Sequence, residues 1–242
     1  MTIPSKRGHA FRRTQAPTLA VVNAIASDDG SQCDWALAPT PTDAQPFVVP
    51  NATASEVDVG LSSWIIQDGN YGDFTVGQHA RFALEFGVLD GWRRAAEGPL
   101  DAENLGAARY RVRARVAFVA DGVSVIDAGA FMAFREGGHD GMQLGELVEG
   151  LVYLGIDPFF YFEGLYKTPG MPPLSYQWLI REIQLETTPW RDGNLPNGAR
   201  IRERDDSKES FTPVAATNAW HDDGGNGHYI LRCTRESEPG MP

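Results

Sequence analysis

Four arginines, Arg109, Arg111, Arg113 and Arg115, stand at alternate positions in the stretch RYRVRARVAFVA. In a β-strand every second side chain points the same way, so this spacing sends all four guanidinium groups to one face. A row of planar N–H forks suits a carboxylate, a phosphate or an acidic partner. It equally suits a solvated face neutralised by carboxylates on another strand, for example Glu182 and Glu186. The chain has acid to spare: 32 Asp and Glu against 21 Lys and Arg, a formal net charge of -11.

The other polar candidates are less regular. His221 and His228 flank a loop that holds Asp222, Asp223, Gly224, Gly225, Asn226 and Gly227. A hairpin there would bring two imidazoles and a carboxylate together, as a metal site needs, but the spacing fits no standard ligand motif, and a solvated turn is the expectation. No metal or cofactor is assigned. Asp127, Asp157 and Glu163 lie among apolar residues. Any of them, if buried, would hold its proton to higher pH and serve as a general acid; at an edge or in a loop it would be ordinary. His79 and His139 sit near turns, where a lone histidine is a polar surface residue. The loop from Asp68 to Asp73 offers Tyr71 and Asp73 as rim contacts.

Trp64, Trp92, Trp178, Trp190, Trp220 and the run Phe159 to Phe162 supply core, or line a cavity or stacking platform for a sugar or apolar ligand. Among them Trp178 is placed in the candidate ligand pocket. The sequence has no GxSxG elbow, no P-loop and no GxGxxG opening a helix, so no catalytic residue is assigned.

The elements that must position these groups read mostly as strands. From Gln78, Phe82, Leu84 and Phe86 alternate with His79, Arg81 and Glu85, the mark of a strand with one buried face. Glu56 to Gln67 and Val76 to Gly87 read as a strand, a structured loop and a returning strand. In the arginine stretch Tyr110, Val112, Ala114, Val116 and Phe118 share the face opposite the arginines. Asp121-Gly122 and Val123 to Ile126 then complete a hairpin signature, which extends toward Phe134 with Gly129 as a bulge. Leu144, Leu147, Val148 and Leu151 have helical spacing, and Asp140 with Gln143 resembles a capping box, so a helix is expected over Asp140 to Val152. Strands are expected over Phe159 to Phe162, Leu174 to Thr187, Phe211 to Ala216 and His228 to Thr234. Residues 191–210 read as a surface loop, and residues 90–107 as an irregular excursion.

Together these give an all-β class, an antiparallel barrel or sandwich of about eight to ten strands with one or two short helices. The 26 glycines and 16 prolines agree with many short elements joined by turns. Residues 1–50 are expected to form an N-terminal arm, a first strand and a proline-rich crossing, and residues 51–242 the main β-rich domain. Lys6, Arg7, Arg12 and Arg13 precede the apolar stretch TLAVVNAIAS, which is short and contains Asn23, so a basic arm is preferred to an export signal. No apolar run approaches the roughly 18 residues of a membrane span. Cys33 and Cys233 form no CxxC and read as reduced thiols, which favours a cytoplasmic protein.

Two functional readings follow. The first is a binding module that holds a small molecule or a protein partner in an aromatic-lined pocket or on the arginine face. The alternative is a small-molecule enzyme, an isomerase, cyclase or hydrolase, using carboxylate and histidine acid-base groups in a barrel cavity. An enzyme needs a closed concave pocket with at least two convergent titratable groups. Nucleic acid is disfavoured as a partner by the net charge.

Overall fold

The computed structural model describes residues 56–120, 122–137, 141–194, 200–236 and 239, all within one compact unit spanning Val49–Pro242. The expected arm, crossing and basic N-terminus, with Cys33, lie outside the described residues. So do Asp121, His139 and Asp140.

Fourteen strands are present among the described residues. In order they are β1 (Glu56–Ser62), β2 (His79–Phe82), β3 (Leu84–Val88), β4 (Arg93–Arg94), β5 (Asp101–Asn104), β6 (Arg109–Ala120) and β7 (Val123–Asp127). Then come β8 (Met132–Glu136), β9 (Leu147–Ile156), β10 (Tyr176–Glu186), β11 (Trp190–Asn194), β12 (Arg200–Arg204), β13 (Phe211–Val214) and β14 (His228–Arg235). Strands β9, β3, β8, β7 and β6 close on themselves through the β9–β6 pairing to make a five-strand barrel. On the far side of β9 the sheet continues through β1, β14 and β10, with β13 and β2 on β10. No helix among the described residues is long and apolar enough to cross a membrane.

The predicted hairpin is β6 and β7, paired antiparallel around Gly122, whose φ of 78° suits glycine. Tyr110, Val112, Ala114 and Val116 point into the main core. Phe118 departs from its expected face. A bulge between Val116 and Phe118 turns it outward into a second cluster with Val125, Phe134 and Tyr161. The expected strand from His79 to Gly87 keeps its buried parity at Phe82, Leu84 and Phe86 but splits at Ala83. β2 pairs with β10, while β3 pairs with β9 and β8.

Four expectations are corrected. Trp64 to Ile66 is not strand but part of a short helix, α1 (Ser63–Gln67), and β1 pairs with β14 and β9 rather than with the strand that follows the loop. No helix forms over the described part of Asp140 to Val152; Leu147–Ile156 is β9, and Leu144 is 70% exposed. A strand that pairs with β6, β3, β4 and β1 gains more from its ladders than its local helical spacing offers. Phe159 to Phe162 is not strand: Phe160–Glu163 is a second short helix, α2, because Asp157 accepts the N–H groups of Phe160 (2.8 Å) and Tyr161 (3.1 Å) as an N-terminal cap does. The loop expected at residues 191–210 contains the β11–β12 hairpin.

The main core runs unbroken from barrel to sheet. Trp178 and Phe82 stack at 5.6 Å with an interplanar angle of 15°, and both are fully buried. Asp58, also buried, ties the strands together: Arg232 donates to it (3.0 Å), as does Asn104 (2.8 Å), and its N–H donates to the Tyr110 hydroxyl (2.7 Å).

Candidate functional site

The arginine ladder faces outward, as its spacing requires, but its four members part company. Arg109 pairs with Glu209 (2.6 Å), Arg111 with Glu103, and Arg113 with Glu149 (3.0 Å), while Arg115 donates to the Gly145 carbonyl (3.2 Å). The carboxylates suggested by sequence serve others: Glu182 pairs with Arg232, and Glu186 lies beside His228 and Arg204.

Arg111 and Arg113 open on a groove of about 580 Å³ over the outer face of β6 and β9, with Arg93, Asp90, Asp101 and Glu149 among its walls. Chain 90–100 arches over this face, and the approach is close. A Cβ on Gly98 would lie 2.7 Å from Arg113 Nη1, and one on Gly150 3.1 Å from the Trp92 ring. Glu149 serves two cations, since Arg93 also reaches it at 2.7 Å. The hydrogen bond from Arg113 and the adjacent Arg93 charge hold its carboxyl below the ordinary range. Arg113 Nε, on the groove wall, and Trp92 Nε1, on the chain that arches over it, are buried and find no acceptor among the described residues.

A second group of polar side chains crosses the outer face of the sheet. Tyr153 on β9 lies over Gly60 of β1, where a Cβ would fall 1.4 Å from its hydroxyl. Its Oη meets His228 Nε2 on β14 at 2.7 Å. His228 Nδ1 lies 3.2 Å from Glu186 Oε2, within ion-pair range but without hydrogen-bond alignment. His228 and its neighbours hold the Glu186 carboxyl below its usual value. Arg204 continues the row to Asp223 (2.6 Å) and covers the Trp190 ring at 4.1 Å. On the other side of Tyr153, Glu85 stands against Gly155 with no hydrogen-bond partner for its carboxyl among the described residues. Burial, and then the charge of Asp157, push Glu85 up to about 7. Burial also raises Asp157 to about 7, against the pull of the amides that cap α2. Burial raises the Tyr71 and Tyr153 phenols, so both keep their protons at neutral pH.

The remaining sequence candidates lie apart from these two groups or beside them, each with partners of its own. Trp178 is a core residue whose Nε1 donates to the Phe82 carbonyl (3.2 Å); it presents no surface to a ligand. Tyr71 is half-buried and donates to the Asp157 carbonyl (3.1 Å). Asp73 accepts from Thr217 Oγ1 (2.8 Å) and the Ala219 N–H (3.0 Å), fixing the loop before β14. His221 pairs with Asn218 (2.8 Å) while His228 turns to Tyr153, so the two imidazoles do not share a site. No three metal-ligating side chains cluster among the described residues. Asp127 accepts the Gly129 N–H (2.8 Å) in a turn, and Glu163 is exposed.

Sequence reasoning missed Arg93, Glu149, Glu85 and Tyr153; it named Trp92 only among the aromatics at large and Glu186 only as a partner for the arginine ladder. A usable signal lay in the glycines: Gly60, Gly150 and Gly155 sit inside strands, where glycine marks close approach by another group. No protein-family model, no characterised protein and no solved structure matches this chain.

Proposed function

We propose that this protein is a binding module whose groove over β6 and β9 takes a small molecule bearing a carboxylate or phosphate. The observation that carries this reading is a buried donor on the groove wall, Arg113 Nε, left without an acceptor among the described residues beside the guanidinium groups of Arg93 and Arg111. A buried donor without an acceptor costs about 1–3 kcal/mol, and a carboxylate or phosphate has the acceptor chemistry that a wall of three guanidinium groups fits. The ion pairs already there are no obstacle. Arg93 and Arg111 are 79% and 61% exposed, and pairs of that kind contribute about 0–1 kcal/mol. Interleaved carboxylates, Asp90, Asp101 and Glu149, argue for a compact ligand with few charges and against a polyanion. Cys233, a buried free thiol, agrees with the reducing cytoplasm as the compartment. Neither Glu85 nor Asp157, the two carboxyls that burial raises, lines this groove, whose own carboxylates are Asp90, Asp101 and Glu149.

The test is isothermal titration with inorganic phosphate and with citrate, on the parent and on an Arg93→Gln/Arg111→Gln double variant. Binding by the parent that weakens about tenfold or more in the variant is the expected result, each charge-assisted bond being worth about 1.5–3 kcal/mol. No binding of either anion, or an affinity the variant leaves unchanged, overturns the proposal.

A further inference from the structure

Three of the five tryptophans among the described residues are accounted for. Trp178 is core, Trp190 lies beneath Arg204 with Nε1 on Asp223, and Trp92 packs on Phe86 and Gly150. The other two are left in water: Trp64 is 53% exposed and Trp220 is 66% exposed. Their exposure does not come from loose chain. Trp64 sits on α1, whose neighbours Ile65 and Ile66 are buried, and Trp220 sits in the loop between β13 and β14.

Hydrogen bonds join these two segments. Ser63 donates both its N–H and its hydroxyl to the Gly227 carbonyl, each at 2.8 Å. Gln67 Nε2 donates to the Ala219 carbonyl (2.6 Å) and to the Gly225 carbonyl (2.8 Å). The loop is braced at its other side by Asp222, which accepts from the Tyr229 hydroxyl (2.8 Å) and the Asn218 N–H (3.1 Å). Two solvent-facing indoles therefore ride on two segments that hydrogen bonds join, with Asn218, His221 and Asn226 exposed on the segment that carries Trp220.

We propose that these joined segments form a carbohydrate site, with Trp64 and Trp220 as stacking faces for the rings of a neutral glycan and the exposed amides and imidazole as partners for its hydroxyls. The chemistry of the surroundings selects that occupant. A pyranose offers a flat C–H face to a π-system and a rim of hydroxyls that both donate and accept, matching an indole flanked by neutral amides. Asp68, Asp222 and Asp223 on the same segments, in a chain of net charge -11, disfavour a nucleic acid or an anionic membrane. Two indoles fall short of the roughly 800 Å² per partner that a stable protein interface needs. The site is independent of the arginine groove, since none of its residues lines that groove.

The probes are neutral soluble glycans: chitohexaose, cellohexaose, xylohexaose and laminarin. Binding is read by titration calorimetry and tryptophan fluorescence on the parent, on Trp64→Ala and on Trp220→Ala. Both indoles are exposed, so each variant is expected to keep the parent's melting temperature within about 2 °C. The expected result is binding of at least one glycan, weakened about tenfold or more by each substitution and unchanged in the Arg93→Gln/Arg111→Gln protein. Three outcomes overturn the proposal. One is no binding of any probe at millimolar concentration. Another is binding that survives both tryptophan substitutions. The third is a parent that forms a dimer dispersed by the substitutions, which would make the joined segments a contact between two copies.

Discussion

Replacing Glu85 by glutamine is expected to stabilise the protein at alkaline pH and to leave it nearly unchanged in acid. Glu85 is largely removed from water on the outer face of β3, faces Asp157, and has no hydrogen bond to its carboxyl among the described residues. Its pKa rises from an ordinary 4.5 to about 7 in the folded chain. At about 1.4 kcal/mol for each pH unit between those values, ionising it in place costs about 3 kcal/mol. The sign follows from proton counting. Between pH 4.5 and about 7 the folded state holds more protons at this site than the unfolded state. Stability therefore falls as pH rises through that window. Below it both states are protonated and nothing is lost; above it the whole cost is present.

Glutamine has nearly the shape of the protonated acid and cannot ionise. Glu85→Gln should match the parent within about 0.5 kcal/mol at pH 4.5 and exceed it by about 2–3 kcal/mol at pH 8. Asp157 provides the contrast. Its carboxyl also rises to about 7, but it accepts two amide N–H bonds at the start of α2, so Asp157→Asn gives up part of what it gains. The assay is urea unfolding of parent and variant at both pH values. Comparing the two proteins at one pH removes the repulsion common to both from the overall acidic charge. An equal advantage for Glu85→Gln at both pH values, or none at pH 8, would refute the assignment of a strained carboxylate at this position.

Two further substitutions test the packing. Gly60→Ala places a methyl carbon 1.4 Å from Tyr153 Oη and 2.3 Å from its Cζ, so it should destabilise by about 1–3 kcal/mol. Adding Tyr153→Ala should cost less than the sum of the two changes, as a double-mutant cycle in urea would register, and strict additivity would count against the contact. Trp178→Ala should cost about 3–5 kcal/mol in the same assay, as loss of a large core side chain does, and a loss below about 1 kcal/mol would return Trp178 to the ligand candidates.

What could be read in advance was whatever depends on neighbours along the chain. The outward direction of Arg109, Arg111, Arg113 and Arg115 follows from period two within one strand, and it holds. The β6–β7 hairpin follows from a glycine turn between two alternating runs, and it holds as well. The identity of the groups that meet those arginines is a different kind of fact. Glu103 lies 8 residues from Arg111, Glu149 lies 36 from Arg113 and Glu209 lies 100 from Arg109. Nothing local in the sequence distinguishes them from Glu182 and Glu186, which have the same chemistry but sit beside other cations.

The same limit explains β9, and with it the polar row. Leu144, Leu147, Val148 and Leu151 satisfy a helical period because their segment serves two different faces along its length, not because it coils. Val148, Val152, Leu154 and Ile156 belong to the core, while Tyr153 and Glu149 lie outward against β1 and the arch over the groove. A strand that closes a barrel and also joins an outer sheet carries neither the clean alternation of an edge nor the unbroken apolar run of a parallel core. Its glycines resolve the ambiguity. Gly150 admits Trp92, and Gly155, opposite Gly60 in the β9–β1 pairing, leaves room beside Glu85. An alanine in a helix would serve at either place; a strand over which another side chain must lie cannot have one. The spacing of those glycines along Leu147–Ile156 argues for a strand more strongly than the leucines argue for a helix, and it points to the two sites where large side chains cross the sheet.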